Sequence, residues 1–272
     1  MKTLFSLEMI PLWGIFVITV GMVLVSIWIG TFLGQRRRRK PDHEAEALLG
    51  PIITATLGLL AFMLAFTFGI SAELFQARRQ LLLKEVNAIG TTYLRAELLP
   101  ESQRSQIRKL LHEYVDTRAN LARETSQKQL LLLHEAISRC ETMQDQMWSH
   151  VAALTKNGRG TVIDALFITS LNEMIDLHTS RLTVFRYHIP SPVWYTLYFI
   201  TILSMATVGY QAGLSGKSIL KVGIVLALTF SAVVFLVADL DRVAEGRLRV
   251  SQQPMFDLQQ KMQLSEQETK QN

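Results

Sequence analysis

Apolar and polar positions along this chain come in long blocks. Four windows hold no Asp, Glu, Lys, Arg or His: residues 9–33, 47–72, 189–216 and 222–238. A helix crosses a bilayer core with about 20 apolar residues, in a range of about 17–25. Each window is long enough for one span. Only helices and closed barrels satisfy their own backbone in hydrocarbon, and these runs lack the alternation of barrel strands. The pattern predicts an all-α membrane protein with four transmembrane helices and a helical extramembrane insert between the second and third. The expected spans are about 9–33, 48–72, 190–213 and 219–238. Residues 1–72 then form one membrane hairpin, 73–188 the insert, 189–238 a second hairpin turning at "GLSGKS", and 239–272 a polar, Gln- and Glu-rich tail that frays at its end.

Within the insert the apolar residues recur at helical spacing. Ile107, Leu110, Leu111, Tyr114, Val115 and Leu121 form one face, and Pro100 suits the start of that helix. A second run carries Leu130, Leu133, Ile137, Cys140, Met147, Trp148, Val151 and Leu154, and stops at "KNGRG". A third carries Ile163, Leu166, Phe167, Met174, Ile175, Leu182 and Phe185. The helical period also continues unbroken from Glu73 to Leu98, so the second span is expected to run on beyond the bilayer as one rod.

Composition narrows the function classes. The net charge of +5 comes from one run, Arg36, Arg37, Arg38, Arg39 and Lys40, which argues against a broad nucleic-acid surface. The first window is too long for a signal peptide, holds Pro11, Trp13 and Trp28, and has no small-residue cleavage site before the arginines. Cys140 is the single cysteine, so no internal disulfide forms. "GLSGKS" has Gln211 where a phosphate loop needs glycine, and a membrane helix precedes it; it reads as a tight turn. His112, His134, His150, His178 and His188 match no metal framework and are expected at surface or partly buried helix positions. No nucleophile motif surrounds Cys140 or any serine. A hydrolase or transferase is not expected, and no cofactor or metal is implied.

The second span carries more information. Thr54, Gly58, Ala61, Ala65, Gly69 and Ala72 form a stripe of small side chains, which lets helices approach closely in lipid. Phe62 and Phe66 lie one turn apart on a neighbouring stripe. They read either as ordinary packing and lipid-facing rings or as a hydrophobic constriction built by several subunits. Beyond the bilayer, Glu73, Arg78, Arg79, Lys84, Glu85, Asn87 and Arg95 read either as a solvated rod or as a charged vestibule. Asp239, Asp241 and Arg242 mark where the fourth span leaves the membrane. Two carboxylates are too few for a cation site.

Three stretches resemble the bacterial bestrophin-like family: "LGLLAFMLAFTFGISAELFQARRQLLLKEVNAIGTTYLR", "LLPESQRSQIRKLLHEYVDTR" and "DLDRVAEGRLRVSQQP". Val243 stands where the family's exit motif usually has proline. The resemblance implies a pentameric anion channel whose second helix lines the pore with a neck of bulky residues. Phe62 and Phe66 match that neck, and the preceding position falls on the small Gly58. Val86 followed by Asn87 matches a pair on the long helix, and only Phe75, beside Gln76, remains of an aromatic pair. The implied partners are further copies of the chain, membrane lipids and an inorganic anion.

The basic run lies in a short loop, where positive charge favours the cytoplasm. That rule places the insert outside an inner bacterial membrane, whereas the bestrophin resemblance places it in the cytoplasm. Basic residues beside a span also meet anionic headgroups, at about 1 kcal/mol each. Nucleic-acid binding is not expected, because no stacking aromatics accompany the patch. Two functions stay open: an oligomeric anion channel, or a non-conducting membrane scaffold or sensor whose insert binds a partner protein.

Overall fold

In the computed structural model, the described residues are 10–39, 49–124, 126–156, 162–216, 219–242, 246 and 248–271. They form eight helices and no strand: α1 (Leu12–Arg38), α2 (Leu49–Ala96), α3 (Glu101–Arg123), α4 (Ser126–Lys156), α5 (Val162–Phe185), α6 (Ser191–Ser215), α7 (Leu220–Asp241) and α8 (Gln253–Gln271). Four of them, α1, α2, α6 and α7, are long and apolar enough to cross a membrane. At 48 residues, α2 is far longer than a bilayer requires, as the unbroken period predicts. The chain divides into two compact units, one of residues 1–75 and 188–248, the other of residues 76–187 and 249–272.

In the first unit α1 packs on α6 backbone to backbone. A Cβ added at Gly30 would overlap the Ala206 carbonyl, and one at Gly34 the Tyr210 carbonyl. Reciprocally, Gly209 faces the Ile27 carbonyl and Gly213 the Thr31 carbonyl. Each helix therefore carries a G-x-x-x-G pair on the contacting face, the arrangement that allows close approach in lipid. Apolar packing fills the rest with Val23, Ile27, Leu60, Leu197, Met205, Ala227 and Val234. Hydroxyls bond mostly back along their own helices: Thr19 to the Ile15 carbonyl at 2.7 Å and Thr201 to the Leu197 carbonyl at 2.7 Å. Ser71 and Ser204 instead cross to the carbonyls of Val237 (2.9 Å) and Thr56 (3.1 Å). Gly216, at φ 67°, closes α6 in the left-handed region glycine tolerates.

The second unit is a bundle of amphipathic helices. Its core contains Leu82, Ile89 and Tyr93 of α2, Ile107, Leu111, Tyr114 and Val115 of α3, Cys140, Met143 and Met147 of α4, and Phe167, Leu171 and Met174 of α5. Several predicted face residues occupy it, while Trp148, Ile163 and Leu166 are exposed. The C-terminal segment differs from the expected polar tail: it forms α8 and buries Met255 and Met262 in this core. Polar contacts hold α8 as well. Gln259 donates to Asp116 at 2.6 Å and accepts from Arg123 at 2.8 Å, and His112 lies 3.1 Å from Glu266. Two methionines seven residues apart give one helical stripe, and that stripe outweighs the polar composition around it.

Candidate functional site

Of the four candidate spans, α2 is the least covered by its own chain. In its most apolar stretch 11% of residues are buried, against 33% in each of the other three. One face does the packing, through Ile53, Leu60, Thr67 and Ser71. The opposite face is open. Phe62 and Phe66 are 64% and 51% exposed, and their rings stack at 6.4 Å and 15°. Thr54, Gly58, Ala61, Ala65 and Gly69 are also exposed. A Cβ added at Gly58 or Gly69 would meet nothing within 4 Å. Close packing within the chain therefore uses Gly30, Gly34, Gly209 and Gly213 and leaves the α2 stripe uncovered. The paired "GTFLG" and "GYQAG" were the sequence signal for that contact.

Continuing along the same helix at spacings of three and four, Glu73, Gln76, Gln80, Leu83 and Asn87 are exposed, and so is Arg79 beside them. The remaining charged candidates are held by backbone groups. Arg78 is buried and donates to the Tyr187 carbonyl at 2.6 Å. Arg95 donates to the Leu166 carbonyl at 2.7 Å. At the end of α7, Asp241 accepts from the Ile189 N–H at 2.9 Å and Asp239 from the Leu248 N–H at 3.2 Å. Arg242 donates to the Ile10 carbonyl. These three fasten the segments that enter and leave the spans, satisfying N–H and C=O groups that have no helical partner.

Arg36, Arg37 and Arg38 belong to the last turn of α1, where positive charge offsets the helix dipole. The Arg36 guanidinium lies 4.2 Å from the Phe32 ring centre. Arg38 packs against Gly216, leaving no room there for a Cβ. Arg39 is exposed, and Lys40 lies outside the described residues.

Glu85 stands among the charges expected on a solvated rod or in a vestibule, next to the exposed Lys84. It is instead fully buried in the second unit. Tyr114 donates to Glu85 Oε1 at 3.1 Å, Arg118 donates to Oε2 at 3.0 Å, and Arg181 also donates to Oε2. His178 Nδ1 lies 2.9 Å from the Tyr114 hydroxyl, and Arg181 reaches on to Gln252 at 2.8 Å. His178 is 1% exposed, which corrects its expected surface or partly buried placement. Burial pushes the Glu85 carboxyl up, but the two guanidiniums outweigh it and hold the group well below the usual carboxylate range. Burial together with the Glu85 charge raises the Tyr114 hydroxyl. The signal for Glu85 was its register: it shares a helix face with Leu82 and Ile89, not with Lys84.

The pattern of the bestrophin-like domain matches residues 17–255. The chain belongs to the bestrophin-like family. No curated protein matches its sequence. The bestrophin-like fold is similar to crystal structures of single-residue variants of a bacterial bestrophin homologue from Klebsiella pneumoniae. One is 14% identical, covers 91% of this chain and 96% of that chain, and has a TM-score of 0.63. Another is 14% identical over 90% and 97% of the two chains, with a TM-score of 0.62. Family and apolar helices together make this bestrophin-like chain an integral membrane protein.

Proposed function

We propose that this bestrophin-like protein is an oligomeric anion channel of the bacterial inner membrane, with α2 of each copy facing a shared axis. Five copies follow by analogy with bestrophins. The supporting observation is the open face of α2, the span least covered by its own chain. A helix that packs on one face and carries an apolar, then polar, exposed face is suited to line a water-filled path. Phe62 and Phe66 supply a hydrophobic constriction, which closes by losing water. Thr54, Gly58, Ala61, Ala65 and Gly69 let neighbouring copies of α2 approach. Glu73, Arg79 and Asn87, exposed on the continuation of α2, line a polar vestibule, while Arg78, Arg95, Asp239, Asp241 and Arg242 hold backbone groups within their own units.

Chloride flux from proteoliposomes tests this reading. Phe62→Ala and Phe66→Ala are each expected to raise flux over wild type, because each removes a bulky ring from the constriction. Flux absent from wild type and both variants would contradict it. Mass measurement in detergent is the companion test, since one protomer contributes only one α2 and cannot enclose a path. A monomer would favour a scaffold whose insert binds a partner protein.

A further inference from the structure

We propose that the C-terminal end of α1 is a built site for an anionic phospholipid headgroup, with Arg36 as its principal phosphate ligand. Trp28, Phe32 and Arg36 follow one another at spacings of four, so they form one ladder along the helix. The Trp28 and Phe32 rings stack at 5.9 Å and 12°, and the Arg36 guanidinium caps Phe32 at 4.2 Å. All three side chains are exposed. The ladder spans ~12 Å along the helix, longer than the ~5–8 Å headgroup layer on one side of a bilayer, so it can reach from the hydrocarbon through that layer.

Each rung suits its depth. Indole rings favour the membrane–water interface, the Phe32 ring gives the guanidinium an aromatic face, and a guanidinium offers paired donors to phosphate oxygens. Stacking on Phe32 holds Arg36 in place and leaves its N–H edge for the ligand. Arg37 and Arg39 add positive charge alongside, and Arg38 is turned toward Gly216 at the end of α6. No acidic group pairs with Arg36, Arg37 or Arg39 among the described residues. The occupant is therefore an anionic lipid, not a zwitterionic one. Nothing in this inference requires the pore to conduct.

Native mass spectrometry of the full-length protein in a neutral detergent tests it, with phosphatidylglycerol and phosphatidylcholine titrated separately. Phosphatidylglycerol is expected to bind more tightly. Arg36→Gln should weaken that binding about fivefold. Phe32→Leu, which removes the ring and keeps every charge, should weaken it about twofold. Arg39→Gln should have a smaller effect than Arg36→Gln. Equal losses for Arg36→Gln and Arg39→Gln would overturn the built site in favour of diffuse attraction. So would equal binding of the two lipids, or displacement of phosphatidylglycerol by millimolar inorganic phosphate, which would assign the patch to a soluble anion.

Discussion

The two units of this protein solve the same packing problem with opposite chemistry. In the first, α1 and α6 approach through glycines until backbone touches backbone, and hydroxyls bond mainly to their own helices. In the second, the helices are amphipathic and their core encloses a carboxylate, a guanidinium, a phenol and an imidazole, with the half-buried Arg181 reaching the same carboxylate. The surroundings explain the contrast. Lipid provides no hydrophobic drive between helices, so shape and short-range contact decide which faces meet. Amphipathic helices come together by burying their apolar faces, and a buried charge among them is tolerated where it finds its partners.

The largest expected effect comes from breaking the charge cluster. Glu85→Ala leaves the buried Arg118, and the half-buried Arg181 beside it, without their carboxylate. It should cost the second unit about 3–5 kcal/mol, measured by denaturant unfolding of the detergent-solubilised protein. A loss under about 1 kcal/mol would mean the cluster is wetter than its burial indicates. The same group sets a pH dependence. The folded carboxyl titrates below its ordinary value of 4.5, so its stabilisation is complete above that value. It is lost as pH falls through the lowered one. Melting temperature should therefore drop on acidification below pH 4.5, and this part of the drop should vanish in Glu85→Gln.

Next comes the docking of α8. Met262 is 1% exposed, and Met262→Ala should cost about 2–4 kcal/mol and make residues 249–272 susceptible to limited proteolysis. Resistance equal to wild type would return that segment to the status of a loosely held tail. Smaller again is the glycine contact. Gly209→Ala places a methyl against the Ile27 carbonyl and should cost about 1–3 kcal/mol, confined to the first unit. Proteolysis within α8 should stay at the wild-type rate. If Gly209→Ala loosened α8 as Met262→Ala does, the division into separately stabilised units would fail.

The membrane part of this architecture was legible in the sequence because charge-free windows have one physical explanation. The long α2 was legible too, since its period never breaks between Glu73 and Leu98. Residues whose role depends on a partner across the fold were not. Glu85 and His178 look like ordinary helix residues until Arg118, Arg181 and Tyr114 are brought beside them from α3 and α5. Met255 and Met262 were hidden by the Gln and Glu around them. For Phe62 and Phe66 the sequence offered the pairing and the structure adds the exposure, but the surface they face belongs to other molecules.

The most direct test of the proposed pore is therefore to ask whether α2 meets water inside the membrane. Cys140 is buried and its thiol is pushed up to about 11, so the native chain is a quiet background for a charged thiol reagent. Phe66→Cys and Gly69→Cys should react with that reagent in proteoliposomes and lose chloride flux. Val25→Cys on α1, 54% exposed in a single chain, should face lipid and stay unmodified. If the two α2 cysteines are as inert as Val25→Cys, or react without changing flux, α2 does not line an ion path.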